Sequence, residues 1–290
     1  MNKIIIILKL IRTKQWIKNV FVMIPFILSL KFMDINFENY FNFFMCVVSF
    51  CFISSSIYII NDLVDRKEDL LHHKKNNRPL ANGSISVKFA LIIFTLLIIS
   101  SFSIVLIFFN IKALAVMIIY FANSILYTLL TKNYAIFDAF SIALGFIFRV
   151  FFGIFCFDTP ISKWIIILTF NLCLFLAFTK RGKDFVTDGY FRKSLKGYTK
   201  EMLEKFMIIS SVLAIASYTM YANEMTNLTN NYGFTITNIF VIFGIFRYLQ
   251  ALHLNTADVG DSGVIIYKDM IFLANLVIWA IVLVACLIFS

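Results

Sequence analysis

INDLVDRKEDLLHHKKNNRPLANGSIS, residues 60–86, interrupts a chain that is otherwise almost continuously apolar. It gathers Asp62, Asp65, Glu68 and Asp69 within eight residues and follows them with Lys74, Lys75 and Arg78. Asp62, Asp65 and Asp69 stand at i, i+3 and i+7, so a regular helix puts all three carboxylates on one face. Like charges on one face repel unless a cation sits between them. Hard carboxylate oxygens suit Mg²⁺, which takes one or two carboxylates together with substrate phosphates. The cations downstream are placed to hold the far side of a phosphorylated ligand. The plainer alternative is a solvated loop of mixed charge.

Outward from this stretch the chain reads as membrane. Of 290 residues, 61% are hydrophobic and 14% charged, which excludes an ordinary soluble domain. Apolar runs of about 20 residues recur, as a polytopic helical bundle requires. The expected spans are 17–32, 41–60, 87–109, 113–130, 136–157, 164–179, 203–222, 234–254 and 270–289, nine in all. The fold class is therefore all-α, a single integral-membrane domain over residues 1–290. Residues 1–18 form an interfacial segment that Trp16 and its basic neighbours anchor, and 61–86 and 180–202 are the large polar loops. The apolar run 4–8 is too short for a signal peptide.

Cation placement sets the expected topology. Of 26 Lys and Arg, 21 fall on the N-terminus and alternate loops, three on the opposite loops, and two, Arg149 and Arg247, inside spans. The positive-inside rule then puts the N-terminus and both large loops in the cytoplasm and the C-terminus outside, in the cell's inner membrane. The five cysteines all lie in apolar runs without metal or CxxC spacing and are expected as buried small hydrophobes.

The second polar loop carries TKRGKDFVTD, residues 179–188. Asp184 and Asp188 are spaced i, i+4. Two acidic clusters on one side of the membrane are able to hold Mg²⁺ on a diphosphate, which neutralises charge on the departing oxygens. Lys180, Arg181 and Lys183 are expected to contact phosphate directly. Arg149 lies about 11 residues inside its span, roughly 16 Å deep at 1.5 Å per residue. A charge facing lipid there costs at least ~2.5 kcal/mol, so it points into the bundle, either functional or internally paired. Gly145 and Gly153 share its face and admit a neighbouring helix closely. Asp258, Asp261 and Asp269 form a sparse third acidic cluster, more simply read as solvated.

NDLVDRKED (61–69), RPLANG (78–83), and Asp184 with Asp188, in a nine-span chain, resemble the UbiA superfamily of intramembrane prenyltransferases. RTKQWIKN (12–19), LYTLLTKNYAIFD (126–138), GFIFRVFFG (145–153), KRGKD (180–184), RKSLKGYT (192–199) and FRYL (246–249) are similar to its decaprenyl-phosphate phosphoribosyltransferase branch. Asp184 stands where that branch often has Glu. The resemblance implies an Mg²⁺-dependent transferase of cell-envelope biosynthesis. It moves phosphoribose from phosphoribosyl diphosphate to a polyprenyl phosphate. It implies Asp62, Asp65, Asp69, Asp184 and Asp188 as catalytic and metal ligands. It implies Lys14, Lys18, Asn61, Lys74, Lys75, Arg78, Tyr127, Lys132, Arg149, Lys180 and Arg181 as substrate contacts. No nucleic-acid partner is expected, and a homo-oligomer is allowed. Two other readings stand beside it: prenyl transfer from a polyprenyl diphosphate to an aromatic acceptor, and transport of a lipid-linked sugar. Many cations beyond the acidic motifs favour two phosphorylated substrates, and their concentration on one face argues against transport.

Overall fold

The computed structural model describes residues 3–29, 36–72, 75–159, 162–187, 193–254 and 269–289. The described chain is all helix and turn. Its α-helices are α1 (Lys3–Leu10), α2 (Val20–Ser29), α3 (Phe37–Val64), α4 (Arg66–Leu71), α5 (Val87–Phe108), α6 (Ile111–Leu129), α7 (Phe137–Phe157), α8 (Lys163–Thr187), α9 (Lys200–Thr229), α10 (Gly233–His253) and α11 (Met270–Ile288). Short 3₁₀ segments cover Thr13–Asn19, Thr131–Asn133 and Lys193–Gly197.

Among the described residues, eight helices are long and apolar enough to cross a membrane: α3 and α5 through α11. They coincide with eight of the nine expected spans. The first expected span is built differently, as a 3₁₀ segment followed by the ten-residue α2. Several of the long helices start on a polar cap. Asn36, Ser86, Asn110, Thr199 and Asp269 each accept a hydrogen bond from an amide two or three residues on, which satisfies a donor that has no partner inside the helix.

Two helices outrun their hydropathy. α3 continues through Asn61–Val64, and α8 through Lys180–Thr187. Hydropathy marks where lipid ends, whereas a helix stops only where its hydrogen bonds stop. Asp62 therefore sits in the last turn of a long helix rather than in a loop.

The chain forms two compact units, Met1–Thr131 with Phe148–Pro160, and Lys132–Ile147 with Ile161–Ser290. In the first, Phe50 of α3 packs on Tyr120 of α6 and Phe152 of α7, with ring centroids 4.6 and 5.1 Å apart. Val22, Val105 and Met117 complete that core. Lipid is as apolar as leucine, so burial alone does not drive such helices together; close packing and interhelical hydrogen bonds do. Ser101 of α5 donates to the Ser49 carbonyl of α3 at 2.8 Å. Gly153 of α7 meets α2 so closely that a Cβ there would overlap the Val22 carbonyl oxygen. A smaller cluster of Leu10, Ile59, Leu80, Ile85 and Ala90 sits beneath the polar stretch.

In the second unit α8 pairs with α9 through Phe178 and Phe206, 5.1 Å apart, and through Asn171, which donates to Ser217 Oγ at 3.0 Å. Trp279 Nε1 of α11 donates to Tyr218 of α9 at 2.8 Å, and the Tyr218 hydroxyl donates to Thr237 of α10 at 2.7 Å. Arg247, inside α10, pairs with Asp269 at the start of α11 at 2.8 Å. That carboxylate was the described member of the expected third acidic cluster; Asp258 and Asp261 lie outside the described residues. All five cysteines carry free thiols, four of them buried.

The close approach at Gly153 predicts that Gly153→Ala costs about 1–3 kcal/mol through overpacking. The thermal unfolding midpoint in detergent should fall. Gly182→Ala is the control, because its new Cβ would meet nothing nearer than Met207 Cε at 3.7 Å. It should leave the midpoint unchanged or raise it.

Candidate active site

The polar stretch folds back on the end of α3. α3 ends at Val64, and Asp65 (φ −85°, ψ 2°) marks the change of direction into α4. Hydrogen bonding continues across it: the Asp65 amide donates to the Asn61 carbonyl and the Asp69 amide to the Asp65 carbonyl, at 2.9 and 2.8 Å. Asp62 and Asp69 are carried inward and are only 2% and 3% exposed. Asp65 is not carried with them. It is half-buried and accepts a hydrogen bond from Asn61 Nδ2 at 3.2 Å. Of the three expected carboxylates, the two outer ones are therefore the buried pair, and the change of direction falls at the half-buried middle one.

The return of the chain brings the cation. Arg66 Nε donates to the Leu80 carbonyl at 2.9 Å. Leu80 is fully buried among Leu10 and Ile59. Gly83 adopts φ +75°, a conformation most side chains resist, and closes the turn toward α5. With its loop pinned this way, Arg78 Nη1 reaches Asp62 Oδ1 at 3.0 Å and Asp69 Oδ2 at 2.5 Å. A second guanidinium arrives from the N-terminal segment. Arg12 ion-pairs with Asp62 and lies 5.0 Å over the Tyr58 ring. Two buried carboxylates thus share one guanidinium, and Asp62 has two.

This donor set fits Mg²⁺ of one particular kind. Among the described residues no three His, Cys, Asp or Glu side chains gather as an all-protein cage. Two carboxylate oxygens within hydrogen-bond reach of one nitrogen suit an ion that takes one or two carboxylates and fills its shell with substrate phosphates, as Mg²⁺ does.

A second cluster forms within the other unit. Asp138, in the first turn of α7, is fully buried. It accepts from Arg181 Nε at 2.6 Å, Ser194 Oγ at 2.9 Å, Tyr198 Oη at 2.8 Å and the Ala139 amide at 2.8 Å. Tyr198 Oη in turn accepts from the Ile136 amide at 2.6 Å. Burial, and then the Asp138 carboxylate beside it, push the Tyr198 hydroxyl far above its ordinary range. It therefore keeps its proton and stays a donor. Arg181 is 1% exposed and also pairs with Asp184 through Nη1 at 3.2 Å. Arg181, expected as a direct phosphate contact, is buried here and engages two carboxylates inside this unit through Nε and Nη1.

The remaining expected residues sit as follows. Lys14 and Lys18 are exposed on the Thr13–Asn19 segment, Lys75 is exposed after α4, and Lys180 is exposed on α8. Tyr127 and Lys132 are half-buried at and just beyond the end of α6. Arg149 is internal, 5% exposed, and donates to Asn19 Oδ1 at 3.1 Å and Tyr120 Oη at 3.0 Å. Lys74 and Asp188 lie outside the described residues. Trp16, expected at the headgroups, donates its indole N–H to Ser55 of α3 at 2.9 Å. Arg12, Asp138, Ser194 and Tyr198 escaped the reading of single residues, although each lies in a quoted motif.

Residues 22–191, more than half of the chain, match the UbiA prenyltransferase family. The chain belongs to that family. It is 26% identical to decaprenyl-phosphate phosphoribosyltransferase of Mycolicibacterium smegmatis, with 98% of this chain and 93% of that one covered. It is 27% identical to the enzyme of the same name from Corynebacterium glutamicum, over 88% and 78%. Its fold is that of a UbiA homolog from Archaeoglobus fulgidus bound to GPP and Mg²⁺, with a TM-score of 0.72 at 17% identity over 96% and 97% of the two chains. Digeranylgeranylglyceryl phosphate synthase superposes with a TM-score of 0.66 at 20% identity over 99% and 98%.

Asp138→Asn would leave the Arg181 guanidinium buried without its main counter-charge, which costs about 3–5 kcal/mol. Thermal unfolding in detergent reads this directly. An unchanged midpoint would mean that Asp138 does not hold the unit together.

Proposed function

We propose that this membrane transferase moves phosphoribose from phosphoribosyl diphosphate to a polyprenyl phosphate, with Mg²⁺, and releases diphosphate. The observation that carries the reading is the paired buried carboxylates Asp62 and Asp69 under the guanidinium of Arg78. Full-length similarity to enzymes named for this transfer supports the choice of substrates. The proposed topology has nine spans, with α2 in the first, the N-terminus in the cytoplasm, the C-terminus outside, and the reaction at the cytoplasmic face of the inner membrane. Residues 1–290 act as one catalytic domain.

In this reading Asp62 and Asp69 would hold Mg²⁺ with Asp65 as a further carboxylate, and Asp184 and Asp188 would be the metal-binding carboxylates that the second unit contributes. When bound, Mg²⁺ neutralises charge that develops on the leaving diphosphate. The bond from ribose C1 to the diphosphate oxygen breaks, and one from C1 to an oxygen of the lipid phosphate forms. That oxygen is already ionised, so no strong general base is needed. The protein's task is positioning and electrostatic stabilisation. Arg78 and Arg12 exchange carboxylate for phosphate as the donor enters. Lys74, Lys75, Asn61, Tyr127, Lys132 and Lys180 supply further phosphate contacts. Lys14 and Lys18, exposed on their segment, receive the lipid phosphate at the headgroup level.

The second reading is prenyl transfer from a polyprenyl diphosphate to an aromatic acceptor. The family's name and a solved relative bound to GPP and Mg²⁺ favour it. The same carboxylates would serve, with the diphosphate on the lipid.

Purified protein with Mg²⁺, a polyprenyl phosphate and labelled phosphoribosyl diphosphate should pass label into the lipid phase. Asp62→Asn and Asp69→Asn should each lower the rate by at least about 10²-fold, as removal of one preorganised electrostatic group does. Label that stays aqueous, while a polyprenyl diphosphate and an aromatic acceptor give product, would decide for the second reading.

A further inference from the structure

The segment Thr13–Asn19 is a 3₁₀ helix of seven residues. Such helices rarely run beyond three or four, because their hydrogen bonds are poorly aligned. This one is held from outside. Trp16 Nε1 donates to Ser55 Oγ at 2.9 Å, and Ser55 Oγ donates back to the Ile11 carbonyl at 2.9 Å. At the far end Asn19 is 2% exposed, and each end of its amide is engaged. Its Nδ2 donates to Ser54 Oγ and Cys51 Sγ, both at 3.2 Å, and its Oδ1 accepts from Arg149 Nε at 3.1 Å. Arg149 is fixed in turn by the Tyr120 hydroxyl, and its guanidinium lies 5.0 and 5.5 Å from the Tyr120 and Phe50 ring centres.

The opposite end of the segment carries Arg12. It caps the 3₁₀ helix in the left-handed region, φ 51° and ψ 51°, which is unfavourable for a residue with a Cβ. It persists where surrounding contacts determine it. From there it ion-pairs with Asp62. A 3₁₀ helix rises about 2 Å per residue, so a slip of one residue would carry Arg12 about 2 Å from that carboxylate.

We propose that Asn19, held by Arg149, is a positioning residue that sets the register of the 3₁₀ segment and so delivers Arg12 to Asp62. Arg149 then serves the reaction without touching a substrate: it anchors the anchor. The proposal rests on the reading of Arg12 and Asp62 as parts of the donor site.

The test is a double-mutant cycle on full-length protein, read as kcat/KM for the labelled donor. Asn19→Ala should lose about 10- to 100-fold, the scale of an ångström-sized misplacement. Arg12→Gln should lose at least as much. The double variant should be no worse than Arg12→Gln, since Asn19 has nothing left to position. Losses that multiply would overturn the proposal. Asn171→Ala removes a buried α8–α9 hydrogen bond outside this network and should lower the thermal midpoint while kcat/KM stays within about twofold. An equal fall in kcat/KM would make the loss at Asn19 a mere effect of stability and overturn the proposal. A readout that needs no turnover uses Trp16 as the sole tryptophan, with Trp164→Phe and Trp279→Phe. Asn19→Ala should red-shift its emission and open it to iodide. Unchanged Trp16 emission sinks the proposal whatever the enzyme transfers. A shift in a protein without phosphoribosyl transfer sinks the functional reading and leaves the register-setting role standing.

Discussion

Two buried carboxylates, Asp62 and Asp69, meet one guanidinium at hydrogen-bond distance, and much of the first unit exists to make that meeting possible. An unpaired charge at that burial would cost several kcal/mol. Each surrounding element contributes to the pairing. α3 runs on past its apolar stretch to carry Asp62 inward, the turn at Asp65 leads into α4 and Asp69, and the buried Leu80 holds the loop that returns Arg78. The arrangement is electrostatically balanced and still exchangeable. Arg78 is about a quarter exposed, whereas the carboxylates are almost fully covered. A phosphorylated ligand that brings its own metal ion is therefore able to relieve the arginine without stranding a charge.

Within the second unit the balance is of another kind. Asp138 and Arg181 are both sealed, and Ser194 and Tyr198 satisfy the remaining acceptor capacity of the carboxylate. In a bundle without a hydrophobic driving force between helices, such a buried pair specifies how the Lys193–Gly197 turn docks on α7 and α8. Arg181 hands part of its charge to Asp184, so the acidic motif in that unit is tied to a structural pair.

Much of this was legible in the sequence, for reasons that are physical. The long apolar helices follow from hydropathy, because only helices satisfy their own backbone in lipid. The depth of Arg149 required an internal setting, and it has one. The spacing of Gly153 required a close helix neighbour, and α2 is there. Other features depend on distance along the chain. Arg12 acts on a residue 50 positions away through a left-handed turn. Asp138 finds its partners 43 to 60 positions away. No local pattern encodes either. The reading of Asp65 with its two neighbours assumed an unbroken helix, and the break between α3 and α4 falls on it.

The most direct test of the central claim is diphosphate binding to the purified full-length protein by isothermal titration calorimetry, with and without Mg²⁺. The account predicts binding that requires Mg²⁺ and disappears in the Asp62→Asn/Asp69→Asn variant, with the protein still folded. Binding that is indifferent to Mg²⁺, or that survives the loss of both carboxylates, would contradict it.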